Sequence, residues 1–486
     1  MMLRRKVAAV QARNQHLERE LKKVGAMLAR ANQQVLELQQ VRRPTASNSS
    51  IAPSANPIGA KPPVTKKPTG RKIGAQLGHK GKSRTVLPVE QADEVIEHRP
   101  AVCAHCQNAI APNTPGQVVG RHQVAELPRA AVLIQEHQSL ACRCENCGAI
   151  TRGVIPTEIA KSATGARLTA AIAILCAAVK GSKRDVAMLL TDVLDSPIAL
   201  GSVCGREREV SDALAGVYQD LVEQAARSKV KYVDETSWKL AGKEIWLWVS
   251  ADRDQVIYRI HRWRSRQALK ELFGANKPSG VFCTDRFGAY AKIKKRGLCW
   301  AHLKRDFVAA VERGGAGEAV GMKLLEVLRE VFELWHRFKN QQIARRELIE
   351  GIEPLQTRMR QTLQEGATCG QKKTAAMCRH LLKHEKAMWR FAKTPGLEPT
   401  NNLAERMLRG AVIWRKKSFG NTSEAGLRYV ERVLSVIQTL RQRGHNVLDY
   451  LTDAITAHRK DEPPPPIPPR AATPAMPSVP EMRKVA

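Results

Sequence analysis

A heptad repeat at the start of the chain is the feature that most narrows its fold. Core positions recur at alternating intervals of four and three residues, at Leu3, Val7, Val10, Asn14, Leu17, Leu21, Val24, Leu28, Ala31, Val35 and Leu38. Such a repeat is typical of a coiled coil, because it keeps one stripe of side chains against a partner helix. Asn14 takes an a position, where a buried amide pair favours a parallel dimer in register. We therefore predict a coiled coil over residues 1–43 and a homodimer or higher oligomer; a lone amphipathic helix packed on its own chain is the alternative.

The charge balance indicates a polyanionic partner. The 486 residues include 79 Lys+Arg and 46 Asp+Glu, which gives a formal net charge of +33. Nucleic acid and an anionic membrane surface both attract such a chain. The longest apolar stretch, Leu168 to Val179, is shorter than the ~20 residues that span a bilayer, and the N-terminus lacks a secretory pattern. We expect a soluble, intracellular protein that binds DNA and has no membrane partner.

Residues 44–90 are predicted to form a basic linker rich in Pro and Gly. The stretch from Lys61 to Arg84 contains no acidic residue, and glycines recur along it. A flexible basic arm suits phosphate contacts, although a solvated linker has the same composition. The candidate DNA contacts in this arm are Lys72, Lys80, Lys82 and Arg84.

Two CxxC pairs in residues 91–160 predict a zinc-binding module. The candidate ligands are Cys103, Cys106, Cys144 and Cys147. Each pair can place two thiolates on one tight turn, and two such turns complete a tetrahedron around a structural Zn²⁺. Two unrelated turns or a redox pair are the alternatives, and Cys142 leaves the ligand choice open.

Residues 161–227 have the pattern of helices. An amphipathic stretch from Ser182 to Leu190, a turn at Ser196 and Pro197, and a second helix from about Gly201 match a helix-turn-helix. Any helical hairpin gives the same pattern. Strand-like runs then follow at 229–233, 245–250, 255–260 and 281–283, and a charged helical stretch extends from Ala316 to Phe391.

Three acidic residues form the candidate catalytic set. Asp234 and Asp285 are each predicted to end a buried strand, and Glu405 lies on a helix that starts near Asn401. Three converging carboxylates could hold two hard divalent cations, Mg²⁺ or Mn²⁺, for phosphoryl transfer. The alternatives are that both aspartates form turns and that Glu405 caps its helix or pairs with Arg409.

Several ordered motifs resemble the catalytic core of transposases of the insertion sequence 66 family. They are VDETSW (233–238), CTDRFGAY (283–290), CWAHLKRDF (299–307), PTNNLAERMLRGAVIWRKKSFGNTSEAG (399–426) and GHNVLDYL (444–451). The resemblance implies a multidomain α/β protein with an RNase H-like mixed sheet core over 228–440, interrupted by a helical insertion at about 316–395. It also implies a DDE triad of Asp234, Asp285 and Glu405. The prolines after Glu462 separately predict that residues 441–486 form a C-terminal segment and a disordered Pro-rich tail. One departure is Arg286, whose guanidinium could pair with Asp285.

Further residues near this set have candidate roles. His302 could orient a metal-bound carboxylate or contact the scissile phosphate, or it could simply pack on its helix. Basic residues after Glu405 could grip phosphates, with Trp414 or Phe419 stacking on an unpaired base. These candidate DNA contacts are Arg406, Arg409, Arg415, Lys416 and Lys417.

The combined expectation is a metal-dependent DNA transposase that binds terminal inverted repeats and joins a 3′-hydroxyl to target DNA. The resemblance implies small companion proteins of the same element and a bacterial cytoplasmic, nucleoid-associated location. A non-catalytic zinc-containing DNA-binding regulator and a structure-specific nuclease are the alternatives.

Overall fold

The computed structural model describes parts of a helix between residues 13 and 27, and residues 87–471 except 116, 120, 125–131, 148 and 161. The described residues form two compact units. The larger contains 156–186 and 199–471, and the smaller contains residues between 87 and 155 together with 187–198. The predicted DNA contacts Lys72, Lys80, Lys82 and Arg84 lie outside the described residues. No helix among the described residues is long and apolar enough to cross a membrane.

The smaller unit contains a short antiparallel hairpin. Strand β1 (Ala141–Arg143) pairs with β2 (Ile150–Arg152), and Cys142 lies opposite Thr151. All side chains of the two strands are exposed. The hairpin therefore contributes little apolar burial of its own.

A helical region precedes the main sheet. Its helices are α1 (Thr157–Ala160), α2 (Ala166–Ala177), α3 (Lys183–Asp192), α4 (Leu200–Ala213) and α5 (Ala215–Arg227). The first helix of the predicted helix-turn-helix corresponds to α3 and the second to α4. Within the larger unit, α2 packs against α4.

A five-stranded mixed sheet forms the centre of the larger unit. Its strands are β3 (Val230–Leu240), β4 (Lys243–Ala251), β5 (Val256–His261), β6 (Val281–Thr284) and β7 (Arg296–Leu298). The spatial order is β5-β4-β3-β6-β7. The β3–β4 and β4–β5 pairs are antiparallel, whereas β6 is parallel to both β3 and β7. The prediction of a mixed α/β fold is confirmed.

The remaining helices follow the sheet strands along the chain. They are α6 (Arg266–Glu271), α7 (Trp300–Glu312), α8 (Ala316–Lys339), α9 (Arg345–Ala367), α10 (Lys372–Lys383), α11 (Glu385–Met388), α12 (Arg390–Lys393), α13 (Asn402–Ser418), α14 (Glu424–Arg443) and α15 (Val447–Arg459). Helices α8 to α12 separate β7 and α7 from α13, where the charged helical stretch is predicted. Successive pairs from α7 to α10 pack on one another, and α13 returns to contact β3 and β4.

Helix α14 covers the edge strand β5 with polar side chains spaced by one helical turn. The backbone N–H groups of Val256, Tyr258 and Ile260 donate to the side chains of Thr439, Ser435 and Glu431 at 3.0, 2.9 and 2.6 Å. These N–H groups belong to an edge and would otherwise need water or another strand. The buried polar residues of α14 thus close this side of the sheet.

One strand extends further than its sequence predicts. The pattern of apolar residues predicts an end near Val233, but β3 continues to Leu240 because β4 pairs with it throughout. Asp234 therefore lies inside the strand, opposite Val249, and its predicted position at a strand end is wrong. Only the parallel pairing with β6 stops before it, at Tyr232.

Candidate functional site

Asp234 and Asp285 both lie just past the parallel pairing between β3 and β6. The parallel ladder joins Val230–Tyr232 to Val281–Cys283, and Asp234 comes two residues after the last paired residue of β3. Asp285 directly follows β6. Side chains beyond the ends of adjacent parallel strands share one edge of a sheet. The topology thus places these two carboxylates side by side.

Glu405 reaches this edge because Asn401 fixes the start of α13. The fully buried Asn401 donates from Nδ2 to the Val233 carbonyl at 2.9 Å, next to Asp234. Its backbone N–H donates to Cys299 Sγ at 3.1 Å, and its carbonyl accepts from Glu405 N–H at 3.1 Å. The predicted alternative of a capping box does not form at this helix, and buried Oε1 of Glu405 has no hydrogen-bond partner.

The three carboxylates interact electrostatically. Burial raises the pKa of Asp234 well above its usual value, and the charges of Glu235, Asp285 and Glu405 raise it further. Burial also raises the pKa of Asp285, against the Phe287 N–H and Arg264. The pKa of Glu405 is raised by burial and by Asp285, although Arg305 and Arg409 oppose the shift. Like charges this close favour a bound cation or retained protons.

The donor set fits hard divalent cations. Carboxylate oxygens are the ligands that Mg²⁺ and Mn²⁺ prefer, and Glu405 supplies a buried oxygen without a partner. Among the described residues, the oxygens of all three acids are not within 4.8 Å of one another.

A buried network beside these acids was not predicted from the sequence. The fully buried Glu235 side chain pairs with Arg264 at 2.6 Å and accepts from the Tyr290 hydroxyl. Burial and the charge of Asp285 raise the pKa of Glu235 to about 7. Arg264 lies 3.9 Å from the ring centre of Phe287, two residues after Asp285. The network therefore braces both the strand of Asp234 and the turn of Asp285.

His302 lies against Glu405 and is mostly buried. Its Nδ1 is 3.8 Å from Glu405 Oε1, and its side chain is 13% exposed. Burial, with the charges of Arg305 and Arg286, lowers the pKa of His302 to about 3, so the ring is neutral near pH 7. Cys299 approaches the same pair, which the sequence reasoning missed. The signal was the Cys299-to-His302 spacing at the start of a helix.

Arg286 forms its ion pair with Asp306 and not with Asp285. Its guanidinium pairs with Asp306 on α7 at 2.5 Å and contacts His380 Nδ1 on α10 at 3.3 Å. Asp285 instead accepts from the Phe287 N–H at 2.9 Å, so the predicted turn-forming role is present. The departure at Arg286 therefore leaves the carboxylate set intact.

The basic residues of α13 divide into exposed and engaged side chains. Arg406, Arg409, Lys416 and Lys417 are exposed, and Lys417 is 3.9 Å from Asp185. Arg415 is half-buried and donates to the Ser237 hydroxyl of β3. It is therefore less available to DNA than the sequence predicts.

The two aromatic candidates on this segment differ in exposure. Trp414 is 7% exposed and packs edge-on against Trp238 and Tyr429, so the prediction that it stacks on a base is wrong. The helical periodicity of α13 places the Trp414 side chain on the face that packs into the core. Phe419 is 76% exposed and ends α13 in the left-handed region, with φ 59°. A bulky residue held in that conformation and in solvent is suited to contact a ligand.

Each CxxC pair of the smaller unit lies on its own turn. Cys103 N–H donates to Asn108 O, and Cys144 N–H donates to Ala149 O. Donors from the paired cysteines, Cys106 and Cys147, contribute most to lowering the pKa of Cys103 and Cys144, which favours the thiolate form. Among the described residues, however, no three of these sulfur atoms lie within 4.8 Å of one another. The structure assembles two half-sites and does not bring all four ligands together.

A comparison with protein families matches the part of the chain that contains the three carboxylates. The sequence model of the family described as "Transposase IS66 family" matches residues 161–429. That span contains Asp234, Asp285, His302 and Glu405. An "Uncharacterized protein y4qI" of Sinorhizobium fredii (strain NBRC 101917 / NGR234) is 25% identical over 268 residues, which cover 49% of this chain and 49% of that protein. The chain thus spans about half the length of this relative.

Proposed function

This chain belongs to the IS66 family of transposases, and on that basis we propose that it is an active, metal-dependent DNA transposase. The proposal is supported by the position of Asp234 and Asp285 just past the parallel β3–β6 pairing. Glu405 is near enough for its charge to raise the pKa of Asp234 and for the charge of Asp285 to raise its own pKa. A protein that only binds DNA gains nothing from mutually repelling buried acids.

The sheet supports an RNase H-like core. Numbered within the sheet, its strands run in the order 3-2-1-4-5, with the first strand central. In this reading, 228–440 is the catalytic domain and the helices between residues 316 and 395 are its insertion. The insertion leaves the site intact because α13 returns to β3.

The residues of the site have different proposed roles. Asp234, Asp285 and Glu405 would hold Mg²⁺ or Mn²⁺, with Asn401 keeping Glu405 beside β3. When bound, two such ions supply activation of the attacking hydroxyl and stabilisation of the leaving oxygen in an in-line displacement. His302 is neutral near pH 7 and so would add no positive charge next to the phosphate. The enzyme would first hydrolyse a phosphodiester at the element end and then direct the exposed 3′-hydroxyl at target DNA.

Exposed cations would position the DNA near this centre. Arg406 and Arg409 follow Glu405 on α13, and Lys416 and Lys417 lie at its end beside the exposed ring of Phe419. Such cations bind phosphates without regard to sequence, and an exposed aromatic ring can stack on an unpaired base. Recognition of the terminal inverted repeats would fall to the helical region 161–227, a Zn²⁺-stabilised module at 91–160 and the basic arm.

The N-terminal helix would pair two copies of the chain. Leu17, Leu21 and Val24 are helical in the structure and are 53%, 76% and 62% exposed. They continue the heptad stripe of Asn14, which a second copy would cover. Small companion proteins of the same element would join the complex.

The test uses the purified full-length protein, Mg²⁺ or Mn²⁺, and labelled DNA carrying the inverted ends that border the gene. We expect nicking at the element end and joining to a target duplex. Asp234→Ala should lower cleavage by at least about 100-fold. Loss of a residue that only hydrogen-bonds to a metal ligand can already cost about 100-fold, and Asp234 is proposed to bind the metal directly. Asp220→Asn, an exposed acid on α5, is the matched control and should cleave normally.

The other outcomes separate the rival functions. Binding of the ends without cleavage in any divalent cation would indicate a regulator derived from a transposase. Cleavage without joining would indicate a structure-specific nuclease. Cleavage that survives Asp234→Ala would show that the assigned centre is wrong.

A further inference from the structure

A second constellation of ligand atoms shares Glu405 with the proposed catalytic centre. One atom each from Cys299, His302 and Glu405 lies within 4.8 Å of the other two. Cys299 is the N-cap of α7, His302 lies in the first turn of α7, and Glu405 lies in the first turn of α13. The start of α7 is bonded to the residues before α13, because Trp300 N–H donates to the Pro399 carbonyl at 2.8 Å. The constellation is therefore built on two rigid helix ends.

Two of the three ligand atoms are buried without a hydrogen-bond partner. These atoms are His302 Nδ1 and Glu405 Oε1, which are 3.8 Å apart. Buried polar atoms nearly always have a hydrogen-bond partner, so two neighbouring polar atoms without one need an explanation. A cation between them would satisfy both. Nitrogen and oxygen ligands of one tetrahedral zinc ion lie about 3.4 Å apart, given bonds of about 2.1 Å, so a small side-chain movement suffices.

The third ligand is presented as an acceptor. Cys299 Sγ is buried and accepts the Asn401 backbone N–H at 3.1 Å, so a donor already points at the sulfur. Burial nevertheless raises the pKa of this thiol to about 12. A zinc ion bound here would therefore displace the thiol proton, because the ligand to zinc is the thiolate.

We propose that Cys299, His302 and Glu405 form a site for a borderline divalent cation that prefers Zn²⁺ to Mg²⁺. Thiolate and imidazole ligands select zinc, whereas Mg²⁺ requires oxygen ligands. Three protein ligands leave a fourth position open to solvent or substrate. The functional consequence rests on the proposed function: Zn²⁺ held here engages Glu405, withholds it from the Asp234 and Asp285 side, and opposes Mg²⁺-dependent cleavage.

Metal content and affinity test the site directly. Full-length protein is stripped with a chelator, titrated with Zn²⁺ in excess Mg²⁺, and desalted before metal analysis, and Co²⁺ serves as a spectroscopic probe of thiolate ligation. We expect Cys299→Ser to hold one zinc ion fewer per chain than wild type, or to bind it at least about tenfold more weakly. Cys378→Ser removes another buried thiol, in the helical insertion, and should match wild type. Comparing these proteins cancels any zinc bound by the CxxC pairs, which are present in all of them.

Further measurements keep the site testable if Cys299→Ser folds poorly. Glu405→Gln preserves the shape of the carboxyl group and should also lose the zinc ion. Zn²⁺ should inhibit Mg²⁺-dependent cleavage by wild type and Cys378→Ser, and at least about tenfold more Zn²⁺ should be needed for Cys299→Ser. Equal zinc content and affinity in wild type, Cys299→Ser and Glu405→Gln would overturn the site. That result would leave the proposed transposase activity standing, whereas a zinc difference in an enzyme that never cleaves would remove only the proposed activity.

Discussion

The most informative perturbation is to remove one charge from the acidic cluster with Asp234→Asn. Asparagine keeps the volume and the Oδ1 that accepts the Glu235 N–H at 2.9 Å, so the main change is the lost carboxylate charge. The neighbouring charges that raise the pKa of Asp234 belong to Glu235, Asp285 and Glu405. Relieving their repulsion should stabilise the metal-free protein by about 1–3 kcal/mol at pH 8, since a tenfold change in proton affinity corresponds to about 1.4 kcal/mol. We expect the thermal midpoint to rise by about 2–10 °C.

The pH dependence follows from the direction of the shifts. These carboxyl groups keep their protons to higher pH in the folded state than in the unfolded chain, so stability falls as pH rises through that interval. For Glu235 the interval runs from its usual value of 4.5 to about 7. The advantage of Asp234→Asn should therefore be smaller at pH 5 than at pH 8, because the pKa of Asp234 is raised well above its usual value. Asp220→Asn provides the exposed control, whose midpoint should follow wild type at every pH.

Mg²⁺ should cancel or reverse this difference in stability. At 100 times its dissociation constant, a bound ion stabilises the wild type by about 2.7 kcal/mol, whereas the variant has lost a shared ligand and gains little. The measurement is calorimetry at pH 5, 6.5 and 8, with and without the ion. The reasoning is refuted if metal-free Asp234→Asn is no more stable than wild type at pH 8, or if Mg²⁺ stabilises both equally.

Two further changes test how the site is positioned and how it binds DNA. Asn401→Ala should destabilise the protein by about 1–3 kcal/mol and lower cleavage, because the Val233 carbonyl loses its buried donor; the exposed neighbour Asn402→Ala is the control, and equal effects of the two would contradict the anchoring role. Replacing Lys416 and Lys417 with Gln should reduce the slope of log affinity against log salt by about two, as measured by fluorescence anisotropy, and an unchanged slope would place both side chains away from phosphate.

Much of the sheet could be predicted from short β-rich runs, but its details depend on pairing. The runs predicted at 245–250 and 255–260 correspond to β4 and β5. The end of β3 could not be placed, because Asp234 and the polar residues after it remain in the strand only through pairing with β4. Strand β7 has three residues, Arg296–Leu298, and it offers no periodicity to detect.

The site was predictable where its chemistry is concentrated in single residues and hidden where it depends on contacts. Asp234 and Asp285 stand out because each follows directly on an apolar, strand-like run, and Lys416 and Lys417 stand out by their charge. Glu235 gave no such signal, since its role comes from Arg264, which is distant in sequence. The role of Trp414 was mispredicted because it also depends on contacts. Its ring could stack on a base, but in the structure it packs against Trp238 and is unavailable.

The long helical insertion raises the question of how Glu405 returns accurately to the two aspartates. A carboxylate that enters from a separate helix needs an anchor close to its own turn, because positional error grows with distance along the chain. Asn401 provides that anchor, since one residue bonds β3 beside Asp234, the start of α7 through Cys299, and Glu405 itself. The position of this carboxylate is therefore set locally, by bonds made next to its own turn. It also follows that the zinc site and the catalytic site cannot be independent, because the Asn401 that positions Glu405 for one bonds the sulfur of the other.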